Sequence, residues 1–401
     1  MRRRYRIAVL STNRKTLEHR SSFLRALSEA GNAVTVIPYE DIIKKPLTEE
    51  EYLSRNEAVI QSLSVFTPDF LLLFCIDYKR MHLSGKKHLL ALYPYVTVWD
   101  SNPLNVLCFL NEERRNHIRL LVIDSHISAQ LRALGFPQAS YMPYYYADPA
   151  VFAPARSSDA YAHPVSFAGT FTLPSLIPPF FPKETRPGWT EEMKTLRKGF
   201  HEQRLRERWY VDVFDYADGK IDRWSREYAE LSSHLMYLQK TIERIQMFQT
   251  LADGKEEVHV YGGLQASYHD TGKNELLQIR NSRIHLHDFI DKHVALPVLY
   301  ASSQVNLCCT QFPRACHERV FQVAACGGFI LHEWKEDVPA LFEPDKEIAL
   351  YRSLAEIAPL VTFYRTHERA RKEIAERARR RFLSDHTPLR RAEAFTDSIE
   401  K

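Results

Sequence analysis

His317-Glu-Arg-Val-Phe-Gln-Val-Ala-Ala-Cys-Gly-Gly328, with Phe329-Ile-Leu331 after it, is the stretch whose reading decides the fold. Arg319 to Cys326 suits a helix, and Gly327-Gly328 suits its C-terminal stop. The apolar run that follows suits a buried strand. A helix that stops on glycine and runs into an apolar strand is half of a β-α-β repeat. The helix begins near His317 to Arg319, where free amides and the positive dipole end face outward toward an anion. Arg319 adds a fixed fork of donors suited to phosphate. Gln322 lies about one turn on, where its amide can bond a ribose or sugar hydroxyl.

Outward from this unit the pattern repeats. Gln304 to Cys308 precedes it as a strand, and Glu347 to Tyr351 follows. Val165 to Ala168, Val258 to Tyr261 and Ile284 to Leu286 read as three more. Two of these end in glycine turns, Phe167-Ala-Gly-Thr170 and Tyr261-Gly-Gly263, and glycine lets a phosphate approach the backbone closely. Between Thr170 and Glu256 no strand pattern is visible. Leu173 to Pro187 is proline-rich and reads as a loop, and Thr190 to Glu207 as a charged helix. Arg223 to Leu251 reads as a long helix carrying Trp224, Tyr228, Leu231, Leu235, Leu238, Ile242 and Ile245 in alternating four- and three-residue steps. That spacing makes an apolar seam. It serves either to pack the helix on its own sheet or to form a homodimer through the helix at about 223–251.

An earlier series has the same character. Arg6 to Leu10 is a strand, Thr16 to Ala30 a helix stopped by Gly31, and Ala33 to Ile37 a strand. Glu49 to Ser64 is a helix, followed by strands at Asp69 to Cys75, Val96 to Trp99, Leu120 to Asp124 and Ala139 to Met142. Short apolar strands separated by helices indicate parallel sheets covered on both faces. Ligands of such sheets bind at the carboxyl ends of strands. Here those ends carry Ser11-Thr12-Asn13, Asp100-Ser101-Asn102 and Asp124-Ser125-His126. They line a crevice, or they cap the next helix, and for Asp124 the two readings are balanced. Tyr146 to His163 is the linker. The chain is therefore α/β, with one Rossmann-like domain over 1–155 and a second over 156–384. The second carries a helical insertion at about 171–255. A last helix at about 385–401 is expected to pack back on the first domain.

The chain of 401 residues is 45% apolar and 26% charged, with a net charge of +4, so no nucleic-acid partner is expected. No apolar run is long enough to span a bilayer, and none near the start suits a signal peptide, so a cytoplasmic location is expected. The cysteines show no C-x-x-C spacing, and reduced buried thiols with no metal centre are expected. The first strand is not followed by G-x-G-x-x-G, which argues against a dinucleotide-dependent oxidoreductase or epimerase.

Four blocks keep a fixed order through residues 256–391: Leu299-Tyr-Ala-Ser-Ser-Gln-Val-Asn306, Arg319 to Leu331, Leu341-Phe-Glu-Pro-Asp-Lys-Glu-Ile348, and Ser384-Asp-His-Thr387. In these the chain resembles the CgeB-type spore-maturation glycosyltransferases. Val165 to Thr170 fits that family's first strand and glycine turn. Trp99-Asp-Ser-Asn-Pro103 and the run Asp124 to Phe152 carry a looser match in the first half. The resemblance implies a GT-B fold, with two Rossmann-like domains facing across a cleft. It implies a metal-independent glycosyltransferase that needs no cofactor beyond its nucleotide-sugar co-substrate. The second domain would hold that donor through Gly169, Thr170, Tyr261, Gly262, His317, Arg319, Val320 and Gln322, with Arg319 stabilising the leaving diphosphate. The first would hold a glycan or protein acceptor through Thr12, Asn13, Asp100 and Asn102. Asp100 would be the base if the transfer inverts, and an acceptor ligand if it retains.

The chain also departs from the family. Related retaining transferases carry two glutamates eight positions apart; Arg314 and Gln322 stand there in this chain. An amide can bond a hydroxyl but cannot take a proton as a carboxylate does. The family's glycine after the third strand is replaced by His287-Asp288. The alternative reading is a catalytically inert GT-B relative acting as a sugar-binding or assembly protein.

Overall fold

A computed structural model describes residues 3–11, 14–38, 49–74, 92–99, 101–109, 119–169, 183, 186–207, 210–262 and 281–400. Thr12, Asn13, Asp100 and Thr170 lie outside the described residues, as do Cys75, Gly263 and most of the proline-rich stretch. The chain divides into two compact units, Met1–Tyr145 with Thr387–Lys401, and Tyr146–His386.

The first unit opens with β1 (Arg6–Ser11), α1 (Arg14–Glu29), β2 (Ala33–Pro38) and α2 (Glu49–Phe66). It continues with β3 (Phe70–Phe74), β4 (Tyr95–Trp99), β5 (Arg119–Val122), α3 (Ser125–Ala133) and β6 (Ala139–Tyr141). The strands form one parallel sheet in the order β2-β1-β3-β4-β5-β6. Every residue of β3 and β4 is buried, as a parallel sheet covered on both faces requires. Asp124 is fully buried at the start of α3, and its Oδ1 accepts from the amides of His126 (2.9 Å) and Ile127 (3.1 Å). The capping reading of that aspartate is the one the structure adopts.

The second unit opens with β7 (Val165–Ala168), then the insertion helices α4 (Glu191–Glu207), α5 (Val213–Tyr216) and α6 (Arg226–Asp253). Then follow β8 (Val258–Tyr261), β9 (Ile284–His287), α7 (Ala295–Ser302), β10 (Val305–Cys308), α8 (Glu318–Cys326), β11 (Ile330–Glu333) and α9 (Val338–Leu341). β12 (Ala349–Tyr351), α10 (Leu354–Thr366) and α11 (Glu368–Asp385) complete it. Its parallel sheet has the order β12-β11-β10-β7-β8-β9. The order reverses between β7 and β10, so the topological switch point lies there. β9 runs one residue beyond the predicted strand because His287 pairs with Tyr261 across the ladder.

The seam of α6 is buried within its own unit. Leu231 and Leu235 pack with Met193, Phe200, Val211 and Val213 of the insertion. Leu238, Ile242 and Ile245 pack with Val165, Phe167, Val258 and Val260 of the sheet. This corrects the use of that seam for dimerisation: its side chains are enclosed by two cores of the same chain, which is also why the spacing is so regular. The chain ends in α12 (Pro388–Glu400), which belongs to the first unit, where Phe395 meets Phe23 edge-on at 5.8 Å. Among the described residues no helix is long and apolar enough to cross a membrane.

Candidate functional site

Helix α8 is built to place Arg319 at the switch point. Its C-terminal stop, Gly327, has φ +75°, a left-handed conformation that glycine adopts freely. Its N-cap is His317, whose Nδ1 accepts from the Arg319 amide at 3.1 Å. Burial holds this imidazole well below its ordinary pKa, and Arg319, Arg244 and Lys240 push the same way, so it is a neutral acceptor. The expectation that the first amides of the helix are free for an anion is therefore corrected at one of them. His317 already occupies the Arg319 amide.

The Arg319 side chain is only 5% exposed. Its guanidinium carbon lies 4.6 Å from the centre of the Phe167 ring on β7. A Cβ on Gly169 would collide with Arg319 Nη2, so this glycine leaves the room that the guanidinium uses. Its Nη1 is buried and has no hydrogen-bond partner among the described residues. Cys308, at the end of β10, is pushed up to about 12 by burial, with Arg319 partly opposing. The thiol is neutral and does not balance the arginine.

Two further cations converge on the same strand ends. Lys240 and Arg244 sit four residues apart on α6 and so share a face. Arg244 is 1% exposed, and its guanidinium carbon lies 5.0 Å from the Phe167 ring. Lys240 is lowered to about 7 by burial, then by Arg244 and Arg319. Behind them lies an acidic pair. Burial raises Glu333 well above its ordinary value, Glu243 adds to the rise, and Lys335 opposes it. Lys335 Nζ lies 2.6 Å from a Glu333 oxygen. Arg204 is coupled to both glutamates. Among the described residues, then, Arg204, Arg244 and Lys335 interact with the buried carboxyls Glu243 and Glu333, while Lys240 and Arg319 adjoin Arg244. Even with both ionised, the network keeps a surplus of positive charge.

The other predicted residues are placed as follows. Val320 is fully buried in α8. Gln322 is 6% exposed, and its Oε1 accepts from the Tyr300 hydroxyl at 3.4 Å. Tyr261 ends β8, and its hydroxyl lies 2.7 Å from His163 Nε2; Gly262 follows it. In the first unit, Asn102 Oδ1 accepts from the Leu104 amide at 3.0 Å and starts the 3-10 turn Pro103–Phe109. The structure sets Gly169 against Arg319 and brings Lys240 and Arg244, which the sequence pattern does not single out, into interaction with it. Their signal was two basic residues at helical spacing inside a helix otherwise rich in seam residues.

A family model described as glycosyl transferase-like matches residues 241–397. No curated protein matches the chain. Among solved structures, Anabaena Alr3699/HepE in complex with UDP-glucose is similar at TM-score 0.58 and 10% identity, covering 99% of both chains. Sucrose-phosphate synthase from Thermosynechococcus elongatus is similar at TM-score 0.56 and 11% identity, covering 98% of each. A glycosyltransferase from Rickettsia africae is similar at TM-score 0.56 and 10% identity, covering 99% of each. With two parallel sheets flanked by helices, and likeness running the length of these proteins, the chain has a GT-B, glycosyltransferase-like fold.

Proposed function

We propose that this chain moves a sugar from a nucleotide-sugar donor to a glycan or protein acceptor. One observation carries the reading: Arg319, Arg244 and Lys240 gather at the carboxyl ends of β7 and β10, with Arg319 Nη2 against Gly169 and its Nη1 buried without a partner among the described residues. A nucleotide sugar brings a diphosphate of matching charge. When the glycosidic bond to that diphosphate breaks, negative charge grows on the leaving oxygen. Arg319, Lys240 and Arg244 are the groups of this chain that would stabilise it, and fixed donors aimed at developing charge are worth about 10²–10³ in rate. Gly169, Thr170, Tyr261 and Gly262 would approach the nucleotide, with Gln322 toward a hydroxyl. Thr12, Asn13, Asp100 and Asn102 would hold the acceptor, with Asp100 as base in an inverting transfer. The bound UDP-glucose of the Anabaena relative and the resemblance to the spore-maturation family support this reading.

A second reading is favoured by Gln322, whose carbonyl is engaged by Tyr300 and which offers no carboxylate where related enzymes have one. On that reading the chain binds the donor without turning it over. Thermal-shift screening with UDP, GDP, CMP and dTDP and their sugars tests the binding; no shift with any of them would sink both readings. Turnover of the sugar that binds separates them. Asp100→Asn is expected to abolish transfer while leaving donor affinity unchanged, and normal transfer by that variant would remove Asp100 from the mechanism.

A further inference from the structure

The same sheet carries a cluster of imidazoles next to Tyr261, and none of these histidines is among the proposed donor residues. Register pairs His259 with His285 and Tyr261 with His287. Side chains alternate along a strand, so these four project from one face, opposite the apolar core residues Val258, Val260 and Ile284. His163, just ahead of β7, lies on the same group, with its ring 3.7 Å from that of His259. The four histidines are half-buried and Tyr261 is buried. His259 Nδ1 and His287 Nε2 are 3.0 Å apart, so a proton lies between two basic nitrogens. One nitrogen from each of His163, His259 and His287 lies within 4.8 Å of the others.

The geometry points to a site for a borderline divalent cation of the Zn2+ class, ligated by His163, His259 and His287, with water in the fourth position. Three neutral imidazoles and one open position are a donor set that suits zinc. A tetrahedral zinc with bonds of about 2.0–2.1 Å sets its ligand nitrogens roughly 3.4 Å apart. The His259–His287 spacing is already close to that. The three rings lie nearly parallel, at 10°, 12° and 23° between pairs, so the rings must turn for their lone pairs to meet one ion. Rotation about the imidazole χ2 is soft. An outer partner that orients a ligand ring is in place: Tyr261 Oη lies 2.7 Å from His163 Nε2. The His287-Asp288 step, where the family it resembles keeps a glycine, is given a use through His287. The cation would also replace the proton shared by His259 and His287.

The test uses the full chain, stripped of metal by a chelator and then titrated with Zn2+ in competition with a chromophoric chelator. Co2+ serves as the spectroscopic stand-in. The expected result is one equivalent bound per chain, a cobalt spectrum of tetrahedral intensity, and a zinc-dependent rise in melting temperature. His163→Gln, His259→Gln and His287→Gln should each weaken Zn2+ at least tenfold and remove the thermal shift. His285→Gln, a neighbour outside the ligand set, should bind as the parent does. Each variant's melting curve without metal shows whether it folds. No saturable binding by the parent chain would overturn the site. So would equal affinity in the three histidine variants, or loss on thiol blocking instead.

Discussion

The middle of one sheet and one of its edges make opposite uses of basic side chains. At the switch point, β7 and β10 meet Lys240, Arg244 and Arg319, and the pocket keeps positive charge under burial. On the neighbouring strands β8 and β9 stand the imidazoles of His259 and His287, whose pKa values burial lowers. The difference lies in proton affinity. Desolvation penalises every cation. A guanidinium, whose ordinary pKa is about 12.5 or above, stays charged through such a penalty, whereas an imidazole near 6.5 does not. The middle is therefore suited to an anion, and the edge offers lone pairs to a cation. Lys240, lowered to about 7, stands on the border between the two behaviours.

The contrast breaks most decisively at Arg319. Arg319→Ala is expected to reduce transfer from a nucleotide sugar by about 10²–10³, measured as kcat/KM, with a parallel loss of nucleoside diphosphate affinity by calorimetry. Undiminished affinity would remove the anion pocket from the donor site. Gly169→Ala is expected to act more weakly. Its Cβ would meet Arg319 Nη2, the mobile end of a side chain, and displace it. Donor affinity should fall about tenfold, the size of one misplaced charge-assisted bond, with only a small change in melting temperature.

Outside both clusters, Asp124→Ala should cost about 1–2 kcal/mol of stability in denaturant titration and leave donor affinity unchanged. A change in affinity there would mean that this aspartate does more than cap α3.

The smallest effects are pH slopes of less than one proton, and they sharpen the contrast directly. His332 is fully buried, and burial lowers it to about 3. Between about 6.5 and 3 the unfolded chain binds a proton there that the folded chain does not. Its contribution to stability is present above 6.5 and is lost as pH falls through that window. His332→Asn should flatten the acid limb of a plot of unfolding midpoint against pH. Lys240 does the same on the alkaline side. Above about 7 the folded lysine is neutral while the unfolded one stays charged, so its penalty on the fold fades as pH rises toward 10.5. Lys240→Met should remove that slope. Nucleoside diphosphate affinity should fall above pH 7 in the parent chain and lose that pH dependence in the variant.

Much of the fold was legible because its signals are local. The apolar runs that became β3, β4 and β7, and the Gly327 stop of α8, are each read within a few residues. The capping histidine was not legible. His317 was read as a donor-site residue, but its imidazole occupies the amide it was meant to leave free, an arrangement set by a side-chain rotamer. The seam of α6 was legible as a pattern but not as a destination, since coiled-coil spacing and packing between two cores look alike along the chain.

By itself, then, the sequence determined the alternation of strand and helix, the two Rossmann-like domains, and the placing of a glycine turn after β7 and of Arg319 at the start of a helix. Only the tertiary structure decided that Lys240 and Arg244 join Arg319, and that His163 meets His259 and His287. Periodicity and capping act over one or two turns of chain, so the sequence displays them. Strand order and crossovers bring together residues far apart in sequence, and burial then decides which of those groups keeps its charge.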